Sequence, residues 1–320
     1  MALTLLACGG EYPQSALHPN SDFATRLDDL FVQIFWWAVG VFVIVEGLLV
    51  YVLRRFRERP GAERPRPVHG HTALEIGWTL PPALILVAIA IPTIRTIFVV
   101  DSPPPGDALT IEVVGKQWWW EFRYPAQGIV TANEVHIPVG VTVDFRLNTA
   151  DVIHSFWVPR LGGKRDLVPG RENRIWLAAD SAGTYSGQCA EFCGLQHALM
   201  GFRVVVQPAE EFRGWVARMQ QPATEPEDPL AVEGKELFLN GPCIACHRIE
   251  GTVAQGSVGP DLTHVGSRRT IVAGRLENND ENLARWISNS QEIKPGNLMP
   301  KQDLKDDDVL RLVAYLRGLR

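Results

Sequence analysis

The sequence predicts a multidomain membrane protein: a two-helix transmembrane hairpin, a β-sandwich, then a small all-α domain. Three observations predict it. Two long apolar runs stand early in the chain, short alternating runs follow them, and helical periodicity returns at the end. With 320 residues, 46% hydrophobic, 21% charged and ten Trp, there is ample chain for several packed domains. That composition excludes a disordered chain, a collagen-like repeat and a disulfide-stapled miniprotein. The net charge of −5 lacks the basic footprint of a nucleic-acid binder, so no nucleic-acid partner is expected.

The first span is placed at 30–53, interrupted only by Glu46, and the second at 76–100, with Pro81, Pro82 and Pro92 inside it. Prolines are tolerated in a membrane span, where packed neighbours satisfy the freed backbone groups. Between them, the loop 54–75 opens with six arginines against two glutamates. That stretch is +4 in a chain of −5, so everything else sums to −9. The positive-inside rule puts this loop in the cytoplasm and both termini outside, in a bacterial cell membrane. Residues 1–29 are then an extracytoplasmic segment. Within it, Leu5-Leu6-Ala7-Cys8 resembles a lipobox, whose Cys would carry a lipid anchor, although the basic and apolar regions of a signal peptide are missing. Glu46 is expected to serve helix packing or a subunit contact.

The turn Ser102-Pro103-Pro104-Pro105-Gly106 opens the next domain, 101–207. Its runs Leu109–Val114, Val141–Leu147, Arg174–Leu177 and Gly201–Val206 alternate with period two, the pattern of strands buried on one face. Residues 208–228 are polar, rich in Glu, Gln and Pro, and read as a tether. The final domain, 229–320, carries helical patterns at Val232–Leu239, Glu281–Ser290 and Asp306–Leu319.

Apart from Cys8, the cysteines form two close pairs. Cys189 and Cys193 stand with His197 and Met200 in one short segment, and His154 lies upstream. Two thiolates, imidazole and thioether make a soft donor set suited to copper. A surface disulfide and a zinc site are the alternatives, and no further Cys pair is nearby to complete a zinc ribbon. The second pair, Cys243-Ile-Ala-Cys246-His247, is the attachment signature of c-type heme. In it two thiols add to the vinyl groups and the adjacent His is an axial ligand. A thioredoxin-like redox pair would need a βαβ context, whereas this region is helical.

On these residues, the span from Glu75 to Val206 resembles subunit II of the heme-copper cytochrome c oxidases, whose cupredoxin-like sandwich carries the dinuclear CuA centre. The resemblance implies that Cys189 and Cys193 bridge two coppers. It makes His154 and His197 the terminal ligands, with Met200 and the Glu191 carbonyl as weak ones. It also implies a Mg²⁺ held by the Glu191 carboxylate and shared with subunit I. Trp118, the first Trp of Gln117-Trp118-Trp119-Trp120, would lie at the surface where electrons enter. Glu75, in Glu75-Ile-Gly-Trp78, would stand at the mouth of a proton-uptake path. Three consecutive Trp on a strand cannot all face one side, so they are not expected to share one core. Asp151, Lys164, Arg165 and Asp166 are expected to support the ligands or contact another subunit, and His136 to be structural.

The tail resembles a class I cytochrome c. Gly234 and Phe238 match the small and aromatic residues that cross the last helix, where Tyr315 would meet them. Gly259-Pro260 follows the heme motif, with the Pro helping to orient His247. Met299, in Asn297-Leu-Met299-Pro300, is the implied sixth iron ligand, with His264 its rival. A Met/His pair raises the reduction potential relative to bis-His. Together these features resemble the caa3 type of subunit II. They imply partners in subunits I and III and in an external donor such as a small c-type cytochrome. The oxygen-reducing site would lie in subunit I, with proton pumping. A CuA subunit of a nitric oxide reductase has the same plan, and a copper-delivery protein would need exchangeable ligands and no heme. A tether lets the heme domain dock and undock at an effective concentration on the order of millimolar.

Overall fold

The computed structural model describes residues 12–61, 67 and 69–320. The Cys8 lipobox and part of the basic loop lie outside the described residues. Two compact units are present, Thr25–Ser102 and Pro103–Arg320 with the segment before Thr25.

The first unit holds helices α1 (Asp22–Arg55) and α2 (Thr72–Val100), each long and apolar enough to cross a membrane. Helix α1 begins eight residues ahead of the expected span. Asp22 opens its first turn, where a carboxylate complements the helix dipole, and Arg54 and Arg55 close its last. Helix α2 accommodates Pro81, Pro82 and Pro92, and its large apolar side chains, such as Leu86 and Phe98, point outward. Its start is a reciprocal cap. His71 Nδ1 accepts from the Leu74 amide at 3.4 Å, and Glu75 Oε1 accepts from the His71 amide at 3.2 Å.

In the second unit ten strands form two five-stranded sheets. They are β1 (Leu109–Lys116), β2 (Trp119–Tyr124), β3 (Ile129–Ala132), β4 (Glu134–Pro138), β5 (Val143–Thr149), β6 (His154–Trp157), β7 (Arg165–Leu167), β8 (Asn173–Leu177), β9 (Gly183–Cys189) and β10 (Gly201–Gln207). The sheet orders are β3-β2-β1-β5-β8 and β4-β10-β9-β6-β7. All pairings are antiparallel except β1 with β5 and β4 with β10. Aromatic side chains fill the space between the sheets. Phe156 stacks on Phe202 at 4.8 Å, and Trp120 and Phe145 pack around them at 5.1–5.9 Å. The segment ahead of the first unit is pinned to this sandwich, with Ser21 bridging to Ala179 and Phe23 buried.

The expected tether is largely folded. Residues Ala209–Met219 form helix α3, whose Phe212 and Trp215, three apart on one face, are buried. Trp215 stacks flat on His136 at 4.4 Å and packs on Tyr124 at 5.2 Å. Burial of these two aromatics outweighs a polar composition, so only the stretch between Met219 and Pro229 is a connector.

Helices α4 (Pro229–Asn240), α5 (Asp280–Ser288), α6 (Ser290–Ile293) and α7 (Asp306–Gly318), with a short hairpin of β11 (Thr270–Ile271) and β12 (Leu276–Glu277), build the C-terminal domain. Asp228 caps α4, Pro229 occupies its first turn, and Asn279 caps α5. Helices α4 and α7 cross at Gly234, where a Cβ would strike the Arg311 backbone carbonyl, and Phe238 meets Tyr315 at 5.9 Å.

Candidate functional site

Strand β9 ends in Cys189, the following turn carries Cys193, a single 3₁₀ turn carries His197, and Met200 leads into β10. His154 opens β6 and reaches the same point from the neighbouring strand. The two sulfurs stand 3.7 Å apart, with His154 Nδ1 3.8 Å from Cys189 Sγ and His197 Nδ1 3.7 Å from Cys193 Sγ. Met200 Sδ lies 3.8 Å from Cys193 Sγ, and the Glu191 carbonyl 3.2 Å from Cys189 Sγ. All six implied donors therefore surround one buried point, and His154, Cys189 and Cys193 could hold a metal ion together. Soft sulfur and nitrogen donors disposed on either side of a sulfur pair fit a thiolate-bridged dinuclear copper site.

Second contacts fix the donors. His154 Nε2 donates to Asp151 Oδ1 at 2.7 Å, which leaves Nδ1 as the free ring nitrogen on the sulfur side. Burial lowers the His154 pKa, but hydrogen bonds with Cys189 and Asp151 more than offset that, and the net shift is upward. Between the sulfurs, the contact with Cys193 draws the Cys189 thiol down to about 3, while the proton shared by the pair is held more tightly at Cys193. Gly115 is required beside this cluster, since a Cβ there would lie 2.7 Å from the His154 ring. The Glu191 side chain turns outward to Lys164 at 3.5 Å.

Trp118 and Gln117 sit on the rim. The Trp118 Nε1 and Gln117 Nε2 both donate to the Cys193 carbonyl, at 2.9 and 2.7 Å. Trp119 and Trp120 face opposite sides of β2, and Trp118 precedes the strand. Trp120 is in the inter-sheet core, Trp119 is buried with Lys116 over its ring at 4.6 Å, and Trp118 stays half-buried.

Gln117, Trp118 and Trp119, with Ala132 and Asn133, also form one wall of a cavity of about 420 Å³ whose other walls come from the C-terminal domain. Cys243, Cys246, His247 and Met299 all line it, with Trp286 and several Leu, Ile and Val side chains. His247 Nδ1 donates to the Pro260 carbonyl at 2.8 Å, so Nε2 is the nitrogen left for a metal. Burial pushes the His247 pKa down, keeping the ring neutral as a ligand must be. Gly259 makes room for that ring, because a Cβ would lie 2.7 Å from it. The Met299 carbonyl accepts from Ser290 Oγ and Gln291 Nε2, each at 2.7 Å, and its amide donates to Asn297 Oδ1 at 2.8 Å. An apolar cavity lined by two thiols, a fixed imidazole and a methionine with a fixed backbone fits heme c. The rival His264 is buried but is not among the residues lining this cavity.

Comparison with known proteins decides the family. Residues 14–96 match Cytochrome C oxidase subunit II, transmembrane domain; residues 126–208 match its periplasmic domain; and residues 231–320 match Cytochrome c. Cytochrome c oxidase subunit 2 of Alkalihalophilus pseudofirmus is 42% identical over 328 residues, spanning 100% of this chain and 95% of that one. The chain belongs to the cytochrome c oxidase subunit II family. Relatives of the same description from Bacillus subtilis (38% identical, 99% of this chain and 95% of that one) and Bacillus sp. strain PS3 (37%, 100% and 95%) share its full plan. It is thus a subunit of a heme-copper oxidase, and the fused cytochrome c domain fits the caa3 type. Its two membrane-capable helices and its periplasmic domain make it a membrane protein with a periplasmic domain. The subunit II domain implies copper and the cytochrome c domain implies heme c.

Several residues of the site were not legible in the sequence. Gln117 shares the Cys193 carbonyl with Trp118, yet nothing marks it beyond its place before the tryptophans. Lys294, only 5% exposed, donates through Nζ to the Trp118 carbonyl at 2.6 Å. Burial pushes its pKa down to about 8, with Cys193 opposing and Arg275 adding to the shift. Glu134, 3% exposed, accepts from the Arg269 amide at 3.0 Å and from His136 Nε2 at 3.0 Å. Burial lowers the pKa values of Arg203 and Arg268, and the Glu134 charge opposes this at both.

Proposed function

We propose that this subunit takes electrons from an external donor, such as a small c-type cytochrome, and delivers them to subunit I, where oxygen is reduced to water with proton pumping. The observation that carries this reading is the position of Trp118. Its indole N–H holds the carbonyl of Cys193, and its ring stands in the wall of the cavity lined by the heme motif. Heme c and a dinuclear copper centre, when bound, supply one-electron transfer without proton or atom transfer.

The chain's own part is to hold two donor sets still and close together. Cys243 and Cys246 would hold heme c through their sulfurs, and His247 and Met299 would be the residues offered to its iron. Cys189 and Cys193, with His154, His197, Met200 and the Glu191 carbonyl, would hold the copper. A rigid sandwich keeps reorganisation small, since each imidazole is oriented by packing or by a carboxylate such as Asp151. The outward Glu191 carboxylate would share a Mg²⁺ with subunit I. On the opposite side of the membrane, Glu75 would stand at the mouth of a proton path. Its carboxylate, which accepts from the His71 amide, is exposed at the first turn of α2. Both termini would lie outside the cytoplasm.

Reductant-driven gas uptake by the purified complex tests the reading. Rapid oxygen consumption that Cys189→Ser abolishes is expected. Consumption of nitric oxide with little oxygen uptake would instead place the chain in a nitric oxide reductase.

A further inference from the structure

The sandwich and the cytochrome domain meet through buried charges of unusual arrangement. Each domain sends a deeply buried ionic side chain into the other's backbone. Lys294 of the cytochrome domain donates to the Trp118 carbonyl at 2.6 Å, and Glu134 of the sandwich accepts from the Arg269 amide at 3.0 Å. Both side chains are almost wholly buried. An ion paired with a counter-ion on a long side chain tolerates sliding. An ion bonded to a peptide group fixes where the other backbone lies, and leaves a buried group unsatisfied if the two separate incompletely.

Other contacts agree with a built interface. Arg203 donates to the Gly274 carbonyl at 2.8 Å, Lys116 to the Ser257 carbonyl at 3.2 Å, and Gln196 to the Pro295 carbonyl. The turn Val272-Ala273-Gly274 holds three successive positive φ angles, 55, 54 and 76°. A β-branched residue in that region is strained and persists only where its surroundings impose it. Val272 packs into the cytochrome domain's own core, while the sandwich receives the turn at Ala273, whose carbonyl fills the space left by Gly201 of β10. Glu134 is tied in turn to His136, on which Trp215 of α3 stacks. The clamp is therefore continuous with the helix from which the connector springs.

We propose that Glu134 and Lys294 form a reciprocal clamp that keeps the cytochrome domain fixed on the sandwich throughout turnover, so that Trp118 holds one place between the two sites. They are positioning residues. The clamp goes beyond the functional reading, because it concerns only how the two domains hold each other and stands whichever gas is reduced.

Amide hydrogen exchange on the intact complex, at rest and during turnover, tests it without reference to activity. The Arg269 amide is bonded only across the interface among the described contacts, so its exchange reports the undocked fraction. A fixed domain predicts exchange slowed roughly a hundredfold or more relative to the connector amides of 223–225, 227 and 228, which have no backbone partner among the described contacts. Protection below about tenfold in the wild-type complex means the domain is undocked a tenth of the time, and overturns the proposal. Glu134→Ala should then speed Arg269 exchange at least about tenfold, in line with loss of a charged hydrogen bond. Lys294→Ala should do the same from the other domain. Unchanged protection in both variants would remove these residues from the role. If Glu134→Ala unfolds the sandwich, the β10 amides lose protection too, and the wild-type and Lys294→Ala results decide.

Discussion

Met299 and Lys294 show how much one residue decides here. Met299 lines the same cavity as the heme motif, and its backbone is held by Ser290, Gln291 and Asn297. Replacing it by His exchanges a thioether for a stronger-donating imidazole, so the heme reduction potential should fall. Spectroelectrochemical titration checks this, and an unchanged potential would exclude Met299 as an iron ligand. Lys294 carries a different signature. Its pKa falls from 10.5 unfolded to about 8 folded, so between those values the unfolded chain binds more protons at this site. Stability should accordingly rise with pH from about 8 to 10.5, by about 3 kcal/mol at most. Lys294→Met should lose that gradient in denaturant titrations; a parallel pH profile in the variant would show that Lys294 is not buried as a cation. The metal-ligand types were legible because soft donors at short spacing are rare by chance. Lys294 and Glu134 were not, since each meets a backbone group more than 130 positions away and no sequence pattern encodes a carbonyl.

At the scale of elements, hydropathy located the two apolar helices, which bury almost nothing, and alternation located the strand that begins at Leu109, which buries every second residue. Strand β2 was hidden by its composition. Trp120, Phe122 and Tyr124 alternate there with Glu121 and Arg123, but the run Trp118-Trp119-Trp120 masks where the alternation begins, because Trp119 is buried under Lys116 on the same face as the two charges. Helix α3 was hidden for the opposite reason. Only Phe212 and Trp215 mark its inner face within a polar stretch. The helix is nonetheless anchored, and Trp215→Ala should cost about 3 kcal/mol of the sandwich's stability and open 209–219 to protease. Unaltered stability and unaltered cleavage would mean that α3 contributes no packing.

For the whole molecule, the fusion explains why a mobile tether is unnecessary. With most of 208–228 folded onto the sandwich, the remaining connector is short, and the cytochrome domain is held where Gln117, Trp118 and Trp119 close its cavity. Domain order was readable from the chain; the docking was not, because the partners are a strained turn at Val272–Gly274 and backbone groups on both sides. The central claim is that electrons reach the oxidase through both sites in series. The most direct measurement is rapid mixing of the intact complex with a reduced small c-type cytochrome, following heme c and copper absorbance together. The account predicts that heme c is reduced first and the copper band next. In Cys189→Ser, heme c should stay reduced and oxygen uptake should stop. Copper reduction and oxygen uptake at the wild-type rate in a Cys243→Ser/Cys246→Ser chain that carries no heme c would contradict it.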